Sequence, residues 1–421
     1  MDRRVRSNDG TMTTTTDDPL ATAIAPADGA HRSIELALRA ARTHLDMDVA
    51  FVTEFQGDVR MFRYVDSENG DAPIRVGDVM AMSEGYCRRV VAGELPELIP
   101  DTSAVPAAMA LPETHAIPIG AHMSVPIRLA HGEIYGTFCC FSHRPNASLN
   151  QRDLGMMRAL AAQVAHRLDE DLTMARERET VAARVRRALA QGQPSMVYQP
   201  IFGLEDGGIE GVECLARFDM EPQRPPNEWF EDAAAVGLGV ELESAAFSRA
   251  FAELGTLPGD FSIAINCSPQ AVIGGRLAAA LHAETAHRVV LEITEHSYVE
   301  NYAALRQALI PLRAVGVRIA IDDTGAGYAS MRHILTIDPD IIKLDTSLTR
   351  NIHRDRRRRA FAGAMLEFAR HTGSTIVAEG VESAEELDTL RELGIKEAQG
   401  FHLARPMVLE ALAALLARGN R

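Results

Sequence analysis

The sequence is short of cysteine, of positive charge and of long apolar runs, and each shortage excludes something. Its five cysteines (Cys87, Cys139, Cys140, Cys214, Cys267) lie inside apolar segments and make no CxxC pair. That pattern argues against a disulfide framework and for reduced thiols in a cytoplasmic protein. The net charge of −15 argues against a general binder of nucleic-acid polymers or anionic membranes. A small anionic substrate held through metal stays open. No apolar run reaches membrane-spanning length and the N-terminus has no signal-peptide core, so a soluble cytoplasmic chain without a membrane span is expected. What is present, 46% hydrophobic and 24% charged residues over 421 positions, suits a globular protein of two or three domains.

Residues 1–28 are rich in Thr, Asp, Ala and Pro without periodicity and read as a disordered tail. Order begins where Ile34, Leu38, Ala41 and Leu45 fall at helical spacing. Two strands follow, at 49–52 and 61–65, around a turn at Gln56-Gly57-Asp58. A helix spans 84–92, closed by Gly93 and Pro96. A hairpin of 123–129 with 134–141 turns at His131-Gly132-Glu133, and another helix starts near Leu149. Over 29–170 this is an α+β domain of sensor size. Through Ser124-Val125-Pro126-Ile127, Gly132-Glu133-Ile134-Tyr135-Gly136 and the bracketing helices it resembles a GAF domain. That resemblance implies an unknown small ligand or none. Cys87 reads as a buried thiol rather than a bilin attachment point, and His115, His122 and His131 as loop histidines without metal-ligand spacing.

Between 150 and 190, Met157, Leu160, Val164, Leu168, Leu172, Val181, Val185 and Leu189 fall mostly three or four apart, with charges on the remaining faces. The expectation is a connecting helix that pairs with a second copy as a two-stranded coil; a helix packed on its own domain is the alternative.

From residue 180 to 421, eight short apolar runs alternate with helical segments, which predicts an α/β fold of the (β/α)8 TIM-like barrel class. Such barrels build their sites at the carboxyl ends of the strands. The most telling run, Val317 to Ile321, delivers adjacent acids, Asp322 and Asp323, into a glycine-bearing loop that ends at Ser330. At or just past the other strand ends stand Gln199, Glu213 with Arg217, Asn266, Glu292, Lys343, Glu379 and Gln399. Buried carboxylates need a counter-charge, and an all-oxygen donor set suits Mg²⁺ or Mn²⁺ rather than zinc.

These motifs carry a second resemblance. Tyr198-Gln199-Pro200-Ile201, Glu213-Cys214-Leu215-Ala216-Arg217, Asn266-Cys267-Ser268, Leu291-Glu292-Ile293-Thr294-Glu295, Asp322-Asp323, Ile342-Lys343-Leu344-Asp345, Ala378-Glu379-Gly380-Val381-Glu382 and Gln399-Gly400-Phe401 are similar, in order, to those of the EAL domain, a cyclic-di-GMP phosphodiesterase barrel. The resemblance implies two ions, one held by Glu213, Asn266, Glu292 and Asp322, the other by Asp322, Asp323 and Glu379. Lys343 would orient or help activate the attacking water. Gln199, Arg217 and Gln399 would contact the substrate, and Glu295 would anchor the glycine loop. Lys343, Glu379 and Glu295 form the expected catalytic set. The first barrel strand is expected to run antiparallel to the rest. Departures are Cys214 for the signature's alanine and Thr324, Ala326 and Ala329 in the loop; no expected ligand is lost. The reading is hydrolysis of cyclic-di-GMP to linear pGpG under GAF control, in a homodimer formed through the barrel and the connecting helix. The rival reading is a non-catalytic cyclic-di-GMP receptor that signals to a partner protein. The arginine run at 356–359 reads as a solvated helix face.

Overall fold

The computed structural model describes residues 28–68, 70, 72–255, 257, 259–277, 281, 285–294, 299, 301–324 and 329–419. Residues 1–27 of the expected N-terminal tail, the loop residues 325–328 and Glu295 lie outside them, while Asp28 opens a helix. The chain divides into two compact units, Met1–Glu177 and Arg178–Arg421.

The first unit is built on one antiparallel sheet of six strands: Val49–Gln56 (β1), Val59–Ser67 (β2), Val79–Ala81 (β3), Leu98–Ile99 (β4), Ala121–Arg128 (β5) and Ile134–Ser142 (β6), in the order β3-β2-β1-β6-β5-β4. Both faces of its centre are covered. Ala50, Val52, Met123, Val125, Phe138 and Cys140 pack on Ile34, Leu38 and Ala41 of the helix Asp28–His44. Val49, Phe51, Cys139 and Phe141 pack on Tyr86, Cys87 and Val90 of the helix Tyr86–Val91. Successive strand residues point to opposite faces. Two covered faces therefore demand the unbroken apolar runs that mark β1 and β6 in the sequence. The β1–β2 hairpin turns at Gly57, whose φ of 59° lies in the left-handed region that glycine enters without steric cost. His122 departs from expectation: it sits inside β5, 2% exposed, its ring 4.2 Å from that of Tyr86. His115 likewise lies in a short helix, Pro112–Ala116.

The connecting segment is one helix of 40 residues, Gln151–Ala190. Most of its apolar positions are spent within the units. Met157, Val164 and Leu168 belong to the first unit's core, while Val185 and Ala188 pack with Trp229 in the second. Residues 176–180 are exposed. The three-and-four spacing therefore reports packing on each unit, the alternative reading of this helix, at most of its apolar positions.

The second unit is a closed barrel of eight strands: Ser195–Gly203 (β7), Ile209–Arg217 (β8), Ser262–Asn266 (β9), Val289–Thr294 (β10), Arg318–Thr324 (β11), Ile341–Leu344 (β12), Thr375–Ala378 (β13) and Glu397–Ala398 (β14). β7 pairs antiparallel with both of its neighbours, β8 and β14, and the other pairings are parallel, as expected. Ile201, Ala264, Val290, Ala320, Ile341 and Val377 form an apolar cluster of their own. The intervening positions, such as Ile263, Leu291, Ile319, Ile342 and Ile376, join the larger core together with helix residues such as Leu305 and Met365.

Candidate active site

The apolar layer of the barrel dictates where its polar layer stands. Side chains two residues apart on a strand share a face. Two positions beyond Ala264, Val290, Ala320, Ile341 and Val377 come Asn266, Glu292, Asp322, Lys343 and Glu379. Each strand thus places a plug residue and, one pleat higher, a site residue. The reversed strand obeys the same rule with the opposite sign. Gln199 lies two residues before Ile201, in the middle of β7, and pairs across the ladder with Glu213. It reaches the site without being at a strand's carboxyl end, and Glu213 likewise stands in the middle of β8, which corrects the expectation for both.

Asp322 and Asp323 pose a problem, since consecutive residues of a regular strand face opposite ways. The β11–β12 register shifts between Ile321 and Thr324, and Asp323 takes a φ of 55°, an uncommon left-handed conformation for a residue with a Cβ. With this local turn, carboxylate oxygens of Asp322, Asp323 and Glu379 all lie within 4.8 Å of one another. Those of Glu213, Glu292 and Asp322 form a second such group, and Asp322 belongs to both.

Lys343 stands among the acids, 1% exposed. Its Nζ is 2.8 Å from Glu379 Oε1, 2.9 Å from Glu292 Oε1, 3.1 Å from Asp322 Oδ1 and 3.7 Å from Glu213 Oε2. Burial alone would lower its pKa. The four carboxylates outweigh burial and hold it well above the usual lysine value. Burial, together with the neighbouring carboxylates, pushes Glu292 well above the usual range. Glu379 is pushed up to about 8, chiefly by burial, although Lys343 opposes this.

The amides complete the rim. Gln399 Nε2 donates to Glu213 Oε2 at 2.5 Å and to Gln199 Oε1 at 3.0 Å, and Asn266 Nδ2 donates to Glu213 Oε1 at 3.3 Å. A cavity of about 320 Å³ opens above, lined by Gln199, Glu213, Asp322, Asp323, Glu379 and Gln399 together with Leu215, Thr346, Gly380, Glu382, Gly400 and Phe401. Arg217 is not among the described residues that line it; its guanidinium donates to the carbonyl of Ala216 at 2.8 Å.

Some supporting residues escaped the sequence reading. Glu243, on the helix Gly239–Leu254, accepts from the Ser268 backbone N–H at 2.9 Å and its hydroxyl at 3.1 Å, fixing the chain just past Asn266. Glu253 on the same helix accepts from the Tyr198 hydroxyl at 2.6 Å, next to Gln199. A lone glutamate on an amphipathic helix carries no motif. One signal was available for the site itself: the chain has two lysines, Lys343 and Lys396, among 43 lysines and arginines. A cation that does not follow the chain's preference for arginine marks a special position.

The donor set fits divalent metal. Both groups are all-oxygen, Asp322 is common to the two, and Glu292 Oε2 is buried without a hydrogen-bond partner. Glu213, Glu292, Asp322, Asp323 and Glu379 set against Lys343 leave four negative charges, the charge of two divalent cations.

A family model described as the EAL domain matches residues 182–406. The chain belongs to the EAL-domain family. A GAF domain model matches residues 32–169, so an N-terminal GAF domain precedes the EAL barrel. The cyclic di-GMP phosphodiesterase RocR of Pseudomonas aeruginosa is 32% identical over 236 residues, 53% of this chain and 60% of that protein. NbdA, a cyclic di-GMP phosphodiesterase of the same organism, is 31% identical over 248 residues, 55% of this chain and 31% of its own. The chain spans about a third of the length of several curated relatives that it matches. Among solved structures, the PaMucR phosphodiesterase in complex with c-di-GMP superposes with a TM-score of 0.50 at 29% identity, covering 55% of this chain and 99% of that one. The EAL enzyme Bd1971, at 16% identity, shares the fold over 88% of this chain and 93% of its own, with a TM-score of 0.55.

Proposed function

We propose that the EAL barrel hydrolyses cyclic-di-GMP to linear pGpG and that the GAF domain regulates it. The observation that carries this reading is the clustering of five carboxylates with Asn266 and Lys343, four of those carboxylates (Glu213, Asp322, Asp323 and Glu379) lining the cavity. Glu213, Asn266, Glu292 and Asp322 would hold one Mg²⁺ or Mn²⁺ ion, and Asp322, Asp323 and Glu379 a second. Bound there, two divalent cations would generate a nucleophile from water near neutral pH and offset phosphoryl charge. Lys343 orients the attacking water by donating a hydrogen bond to its oxygen. Glu379 would take part in the chemistry through the second ion it helps to hold, which would keep its carboxylate ionised. Gln199, Gln399 and Arg217 bind the dinucleotide. Gln399 is poised for this, since its amide already bridges Gln199 and Glu213. Glu295 is assigned the loop-anchoring role.

Incubating the purified chain with cyclic-di-GMP and Mn²⁺ or Mg²⁺, with products separated by chromatography, tests this directly. Linear pGpG is the expected product. Tight binding of cyclic-di-GMP without product under either metal would overturn hydrolysis and leave a receptor.

A further inference from the structure

On the sheet face opposite the helix Asp28–His44, the GAF domain buries a charged cluster. Arg60 of β2 is 1% exposed, and its guanidinium reaches Glu113 Oε1 at 2.5 Å and the Cys87 sulfur at 3.1 Å. The Cys87 sulfur lies 3.9 Å from that of Cys139 on β6. Cys139 is in turn flanked by the Ser124 hydroxyl at 3.1 Å and the Thr137 hydroxyl at 3.2 Å. Both thiols are buried, at 1% and 0% exposure.

The two sulfurs are unequal. Cys87 faces the Arg60 guanidinium and touches Cys139; the contact with Cys139 first and Arg60 next hold it well below the usual thiol range, against desolvation. Cys139, with no cation bonded to it among the described residues, is pushed up, first by burial. Cys140 is one residue away on the other face, where its sulfur meets that of Met157 at 3.9 Å; it, Cys214 and Cys267 are all pushed up by burial. A thiolate-forming sulfur in contact with a second thiol is the pairing of an attacking and a resolving cysteine; because both are buried, peroxide reaches Cys87 through local opening of the helix Tyr86–Val91 that carries it.

We propose that Cys87 and Cys139 are a peroxide-oxidisable thiol pair, with Cys87 attacking and Cys139 resolving. The Cys87 thiolate attacks one oxygen of hydrogen peroxide. The O–O bond breaks, Cys87 becomes a sulfenic acid, and the departing hydroxide leaves as water after taking a proton. Cys139, deprotonated, then attacks the Cys87 sulfur. The S–O bond breaks, a second water departs, and a disulfide remains. Two thiols lose one electron each and peroxide gains two. Bond formation requires the sulfurs to close from 3.9 Å to about 2.05 Å, with Cys87 carried on the six-residue helix Tyr86–Val91. Oxidation also removes one of the two acidic partners of Arg60, leaving Glu113. The inference does not depend on the reading of the barrel.

The test uses the reduced full chain exposed to hydrogen peroxide, then alkylated in denaturant and mapped by mass spectrometry. Expected are a Cys87–Cys139 linked peptide pair that dithiothreitol reverses, and alkylation of Cys140, Cys214 and Cys267. Cys139→Ser should accumulate a sulfenic acid at Cys87 that dimedone traps, while Cys87→Ser should form no disulfide. Five alkylated thiols after peroxide, or any pairing other than Cys87 with Cys139, would overturn the proposal, and neither result needs a variant to fold.

Discussion

Lys343 is surrounded by carboxylates that could not all ionise without it, and the same carboxylates are the proposed metal cage. Its removal therefore separates two roles. In Lys343→Met without divalent metal, the barrel should lose about 3 kcal/mol, the lower end of what breaking a buried ion pair costs. Manganese should restore most of the thermal stability in calorimetry, because cations replace the ammonium. Turnover should stay reduced by about 100-fold or more, the scale of a lost proton-handling group. Recovery of both with metal would remove Lys343 from the chemistry. His122 makes a separate prediction in the GAF domain. Burial first, and Arg60 second, push its pKa down to about 3. It therefore stays neutral when folded, whereas the unfolded chain protonates it near pH 6.5. As pH falls from about 6.5 towards 3, the unfolded state takes up the extra proton and the domain loses about 1.4 kcal/mol per pH unit. Hydrogen exchange of the β5 amides between pH 7 and 5 should show that slope, and His122→Phe should flatten it.

At the scale of elements, two irregularities build the site. Reversal of β7 brings Gln199 to the rim, and the register shift in β11 turns Asp323 beside Asp322. The helix Gln151–Ala190 matters for a different reason: its C-terminal portion belongs to the barrel unit. Val185 and Ala188 pack with Trp229, whose ring stacks on Phe218 at 4.8 Å. Trp229 is the chain's one tryptophan, so its fluorescence reports this packing. Val185→Asp would bury an unpaired carboxylate there, a cost that the surrounding apolar cluster cannot offset. The expected outcome is a red-shifted Trp229 emission and an unfolding midpoint lowered by several degrees, read by fluorescence during urea and thermal denaturation. Unchanged emission would mean that the helix end does not hold this cluster.

For the whole molecule, the excess of acid is the dominant property, and part of it is concentrated where metal is proposed. Ligands that bind only the folded state stabilise it in proportion to the logarithm of their concentration. Manganese at 100 times its dissociation constant should add about 2.7 kcal/mol. Calorimetry should show the barrel transition rising with Mn²⁺ and falling back with EDTA, and Asp322→Ala should abolish the effect because Asp322 belongs to both acid groups. Turnover losses in Glu213→Ala, Asn266→Ala and Asp322→Ala should combine far less than additively, as for residues acting as one unit. A homodimer through the barrel and connecting helix remains a proposal. Sedimentation at micromolar concentration checks it, with a monomer of full activity as the contrary result. Among the described residues, no helix is long and apolar enough to cross a membrane.

The sequence by itself determined the two-domain order, the eight barrel strands and which acids, amides and lysine cluster in the barrel, though it also placed Arg217 there, which is not among the described residues that line the cavity. Each depends on local pattern: a period of two on strands, three to four on helices, and short motifs whose spacing is fixed by backbone geometry. Only the tertiary structure decided that His122 is a buried strand residue, that most of the helical spacing of 157–189 is satisfied within each unit, and that Gln199 and Glu213 act from mid-strand. The same holds for the meeting of Lys343 with four carboxylates from elsewhere in the barrel, and of Cys87 with both Arg60 and Cys139. These are contacts between residues tens to well over a hundred positions apart, and closing the sheet and barrel, rather than any local preference, brings them together.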